Sequence, residues 1–146
     1  MAISQLSSQV TSLIDEFPWT AGIVIKEVSA GASLQINENE QFAAASIIKL
    51  SILWELYRQI EAGSVRGTDR IRLTEAHKVG GAGILHELEP ALQPTINDLA
   101  MLMIIVSDNV ATNLLIDMLG FENINQTIKA LGLKATILQR QMMDTD

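Results

Sequence analysis

The chain contains no cysteine. That excludes disulfides and thiolate metal sites, and leaves the redox state of its compartment unread. Aromatic residues make up only 4% of it, so Leu, Ile, Val, Ala and Met must fill the interior. Basic residues are outnumbered: Lys and Arg total 10 against 17 Asp and Glu, a net charge of −7. A surface of that sign repels phosphate backbones and has no attraction for anionic lipid, which argues against nucleic acid and membrane partners. No apolar run reaches bilayer-spanning length. Met1-Ala-Ile-Ser-Gln lacks a basic segment leading into an apolar one, so no secretory signal is read there. What is present is a globular composition, 48% apolar and 18% charged over 146 residues, enough for one domain with a core.

Ile3, Leu6, Val10, Leu13 and Ile14 recur at helical spacing and predict a helix over residues 3–16, stopped by Pro18. Residues 21–28, AGIVIKEV, read as a strand, and Ser33-Leu-Gln-Ile as its hairpin partner. The longest helical signal runs from Ser46 to Ala62 and closes at Gly63. Its apolar positions nearly encircle it, which predicts a central, buried helix with Trp54 in its packing. Residues 70–74 read as a short extended segment, and Gly80-Gly-Ala-Gly83 as a mobile loop. Thr95-x-x-Asp98 resembles a capping box and opens a helix through Val106. One more helix runs to Gly120 and another spans Glu122–Leu131, closed by Gly132. The predicted class is α+β, with a helix and hairpin over residues 1–40 and a helical block over 41–146. A lone hairpin is marginal in water, and no third long strand is visible. The single domain 1–146 therefore reads as incomplete.

Two motifs carry chemistry. In Ser46-Ile-Ile-Lys49 the two polar side chains lie one helical turn apart on one face. A serine hydroxyl needs a base, and a lysine serves as one when burial strips its proton. Taken singly, such a serine is often just a cap and such a lysine a solvated residue. Ser107-Asp108-Asn109 interrupts a helical run, and by itself is most simply a turn that caps the next helix.

The pair is far more specific than either member. Ser-x-x-Lys with Ser-Asp-Asn is found in class A β-lactamases and penicillin-binding proteins. Ser107 lies 61 positions after Ser46, and both motifs sit in apolar helical contexts. From Val10 to Asp146 the chain resembles the N-terminal portion of this penicillin-recognising serine hydrolase family. The resemblance implies a β-lactamase-like fold whose C-terminal sheet strands are absent from this sequence. It implies Ser46 as nucleophile, Lys49 as base or proton shuttle, Ser107 as proton relay to the leaving nitrogen and Asn109 as substrate-binding, with Asp108 fixing the loop. It implies no metal and no organic cofactor. It implies a small β-lactam as substrate and antibiotic resistance as the outcome. A D,D-peptidase acting on peptidoglycan-like peptides is the alternative, and a non-catalytic fragment a third. Relatives usually work in the periplasm or outside the cell.

The sequence departs from the family in two places. It contains no Lys-Thr-Gly or Lys-Ser-Gly, so the substrate carboxylate lacks its usual cation, and a second chain completing the fold is expected. Met142 falls where the family carries its deacylating glutamate, with Asp144 two positions on; Gln139 falls where Arg140 has its usual acidic partner. Ready acylation and slow hydrolysis are the expected result. His77 and His86 have no metal-binding spacing. Glu87 and Glu89 read as a solvated turn. Met101, Met103, Met118, Met142 and Met143 read as core fillers.

Overall fold

The computed structural model describes residues 3–144, with side chains from Leu6 onward. The chain folds as two compact units, Met1–Ala43 and Ala44–Asp146.

In the first unit, α1 (Ile3–Asp15) is followed by β1 (Ile23–Lys26) and β2 (Ser33–Ile36). The strands pair antiparallel, Ile23 opposite Ile36 and Lys26 opposite Ser33. The expected strand over 21–28 is shorter because Glu27 already belongs to the turn, where its carbonyl accepts from Gly31. Gly31 has φ +71, a conformation glycine adopts without steric cost. Among the described residues the sheet has these two strands. Leu34 is its one fully buried side chain, and α1 packs against β2.

The second unit is helical: α2 (Lys49–Glu61), α3 (Ile96–Ile105), α4 (Asn109–Leu119) and α5 (Phe121–Ala130). A 3-10 turn, Ala45–Ile48, leads into α2, so Ser46 lies on that turn and Lys49 opens the α-helix. The Thr95–Asp98 capping box forms, each side chain taking the other residue's backbone N–H. Two orphan donors at the start of α3 are thereby satisfied. Asp108 caps α4 by accepting from Ala111 N at 2.9 Å. The extended stretch at Arg70–Leu73 pairs loosely with Ala91–Thr95, through one bridge and the bonds of Ile71, Leu73 and Ala91. His77 closes a 3-10 turn by accepting from Thr74 N, and Glu87 pairs with His86.

The core of this unit joins Ile52 and Leu56 of α2 to Leu99 and Met103 of α3, Leu115 and Ile116 of α4, and Ile124 and Ile128 of α5. Each such burial contributes roughly 1.5–3 kcal/mol. The expectation of a buried α2 is overturned. Leu50, Trp54 and Tyr57 are each more than half exposed, while Lys49 and Glu55 on the opposite face are almost wholly buried. Apolar periodicity shows that a face avoids water; it does not show what lies against it. Two of the five methionines are also misassigned as core: Met101 and Met143 are exposed, Met103 is fully buried, and Met118 and Met142 pack on the core edge.

Candidate active site

Local backbone geometry brings the two motifs together. Ala45 and Ser107 hold positive φ angles, +45 and +55, which cost energy for residues bearing a Cβ and persist only where packing enforces them. The left-handed turn at Ser107 lets one residue present two oxygens to one amine. Lys49 Nζ donates to Ser107 O at 2.7 Å, to Ser107 Oγ at 2.8 Å and to Asn109 Oδ1 at 3.1 Å. Ser107 Oγ in turn lies 2.8 Å from Ser46 Oγ. Ser46, Lys49 and Ser107, with Ile47, Leu50, Met103 and Ile104, bound an open cleft of about 280 Å³.

The expected direct contact between Ser46 and Lys49 is replaced by an indirect one. The hydrogen bonds run from Ser46 to Ser107 to Lys49, and no direct bond joins the outer two among the described residues. Lys49 is 2% exposed. Burial pushes its ammonium below the ordinary lysine pKa, and the nearby Asp108 carboxylate partly offsets this. A neutral amine has two N–H donors and one lone pair. Ser107 O and Asn109 Oδ1 take the two donors, which leaves the lone pair facing the Ser107 hydroxyl. The same geometry holds the ammonium with all three donors used. The arrangement therefore accommodates either protonation state without a buried unsatisfied group.

Three supports brace the two motifs. Asp108 is fully buried, and its Oδ2 accepts from Ile84 N at 2.7 Å and Leu85 N at 2.9 Å. Asn109 donates from its backbone to Ala82 O and from Nδ2 to Gly80 O. The loop expected to be mobile, Gly80–Gly83, is fastened to the second motif through Gly80 and Ala82, and the adjoining Ile84 and Leu85 add two more points. Asn113, one turn beyond Asn109, grips Met142 through both its backbone groups, donating to Met142 O and accepting from Met142 N. Its signal is the i, i+4 spacing of two asparagines on one face. Glu55 is the third: its carboxylate accepts from Arg58, Gln59 and Thr127 and ties α2 to α5. Arg140 donates to the Asp144 carbonyl. No three His, Asp or Glu side chains converge as a metal site among the described residues.

Superposition on solved structures shows a β-lactamase-like fold. A beta-lactamase of Sphaerobacter thermophilus superposes with TM-score 0.90 at 36% identity, covering 97% of this chain and 53% of that one. A mutant of PBP-A, solved as an acyl-enzyme complex with penicillin G, superposes with TM-score 0.88 at 33% identity, covering 97% and 54%. The Beta-lactamase enzyme family model matches residues 5–146, and the chain belongs to that family. A Rhodobacter capsulatus beta-lactamase is 27% identical over 139 residues, which is 94% of this chain and 47% of that protein. The chain thus spans about half the length of the relatives it matches.

Proposed function

We propose that this chain carries the nucleophile of a β-lactamase-type acyl-transfer enzyme. The observation that supports it is the hydrogen-bonded series from Ser46 through Ser107 to a buried Lys49. Ser46 Oγ attacks the lactam carbonyl while its proton passes to Ser107 Oγ, and the Ser107 proton passes to neutral Lys49. The C–N bond of the ring breaks. Ser107 then gives a proton to the leaving nitrogen and is refilled from Lys49. The result is an ester on Ser46 and a neutral Lys49. Asn109 retains one N–H and one lone pair for a substrate amide beyond its bonds to Gly80 and Lys49. Met142 carries no group that accepts a proton, so the acyl-enzyme is expected to persist.

Incubation with a penicillin followed by intact-mass measurement is expected to give an adduct on the wild-type chain and none on Ser46→Ala. An unmodified wild-type protein would remove the proposal. A D,D-peptidase is the second reading, favoured by Met142. Release of D-alanine from a D-Ala-D-Ala peptide without penicillin turnover would select it.

The exposed face of α2 forms a groove of about 580 Å³ lined by Leu50, Leu53, Trp54, Tyr57, Arg58 and Glu61. It adjoins the cleft at Leu50. Apolar surface of this kind is a common mark of an interaction site.

A further inference from the structure

We infer that Gly83 and Gly81 are positioning residues that set how tightly Lys49 holds its proton, acting through the side-chain amide of Asn109. The inference rests on the reading of Lys49 as the proton acceptor, and on geometry that lies outside the Ser-x-x-Lys and Ser-Asp-Asn residues themselves.

The Asn109 amide has a donor end and an acceptor end, and the structure fixes which faces which way. Nδ2 donates to Gly80 O at 3.1 Å, so Oδ1 must face Lys49, from which it accepts at 3.1 Å. Reversed, the amide would set two N–H groups against the amine and disfavour its charged form. Asn109 is 8% exposed, so bulk water is a poor substitute partner. The carbonyl of Gly80 therefore decides which end of the amide Lys49 meets.

Residues 82–85 hold Gly80 in place. Asn109 N donates to Ala82 O at 3.0 Å, and Asp108 Oδ2 draws in Ile84 N and Leu85 N. Gly83 sits between these anchors at φ +115. A Cβ there would lie 2.4 Å from both Cγ and Oδ2 of Asp108 and 2.6 Å from its Cα. Neither backbone nor a buried carboxylate can yield that space. Gly81, at φ +87, presses on the amide directly: a Cβ would lie 2.7 Å from Asn109 Nδ2 and 3.2 Å from Met143 Sδ. Two glycines thus act on one amide by different routes, one through the Asp108 clasp and one by contact.

The charges around Lys49 leave room for this dipole to matter. Asp108, at the start of α4, is the charge that acts on it. Glu55, the next acid along α2, is engaged by Arg58, Gln59 and Thr127 toward α5. Asp98 caps the far end of α3, whose near end offers Met103 and Ile104 to the cleft. Glu75 and His77 lie on a turn that packs against α4.

The test is a titration of Lys49 followed by the NMR signal of its ¹³C-labelled Cε in the full chain. Gly83→Ala and Gly81→Ala are each expected to lower its midpoint by about one pH unit, the size of one lost hydrogen bond to a charged group. Asn109→Ala is expected to lower it similarly. Gly83→Ala added to Asn109→Ala is expected to produce no further shift, because the amide it acts through is gone. Glycine variants that keep native circular dichroism yet leave the midpoint unmoved would overturn the inference. So would a shift that simply adds to that of Asn109→Ala. If Gly83→Ala does not fold, Gly81→Ala decides the matter alone. The titration needs no penicillin. A chain that shows the shifts but takes no adduct refutes the proposed function and leaves this inference standing.

Discussion

Ser107→Ala and Lys49→Met are each expected to slow acylation of Ser46 by about 10²–10⁴-fold, the range for loss of a positioned proton-transfer group. The double variant should be no slower than the worse single one. One hydroxyl stands between nucleophile and amine, so removing either link breaks the same path, and effects of groups acting as a unit do not add. Ser107→Gly separates this from a folding defect. It loses the hydroxyl but keeps the carbonyl that accepts from Lys49, and it relieves a non-glycine residue at φ +55. It should acylate as slowly as Ser107→Ala while melting at least as high as wild type. Quenched-flow mass spectrometry and thermal melts provide both numbers. Rate losses that multiply in the double variant would mean two independent paths and would discard the relay.

Glu55→Ala is expected to cost about 1–3 kcal/mol, the range for leaving a buried hydrogen-bonding group such as the Thr127 hydroxyl without its partner, since Arg58 is half exposed and regains water. Burial alone pushes the Glu55 carboxyl up. Hydrogen bonds from Arg58, Thr127 and Gln59, with the charge on Arg58, outweigh it and bring the carboxyl down to about 2. The folded state therefore binds a proton at Glu55 less readily than the unfolded chain does. Its stabilisation is complete above the ordinary carboxylate value of 4.5 and is lost as pH falls from there toward 2. Urea unfolding at pH 7 and at pH 3 measures it. Wild type should lose stability between the two, and Glu55→Gln should lose less. A parallel loss in both would assign the acid sensitivity to other carboxylates.

Local chemistry is legible wherever neighbours along the chain decide the outcome. Thr95 and Asp98 form the box their spacing indicates. Gly63 and Gly132 end their helices at positive φ. Two short motifs are enough to name Ser46, Lys49, Ser107 and Asn109, and their side chains meet. What escapes depends on distant partners. That the link between Ser46 and Lys49 passes through Ser107 depends on a positive φ that serine gives no sign of adopting. Glu55-x-x-Arg58 looks like an ordinary surface pair, because the buried Thr127 it also meets is 72 residues away. Gly83 looks like slack in a loop, because the Asp108 carboxylate it accommodates lies on another element. Trp54 reads as interior because apolar positions nearly encircle its helix, yet 59% of it faces water.

The enclosure of Lys49 has an effect on ordinary protein chemistry. Amine-directed reagents such as acetic anhydride attack free, accessible amines. Lys26, Lys129 and Lys134 lie on the surface and should react within minutes. Lys49 should stay unacetylated although its lowered pKa leaves more of it as free amine than an ordinary lysine has, and become reactive only when the Ser107 turn swings away. Peptide mapping after brief acetylation would then time the opening of the cleft from the inside.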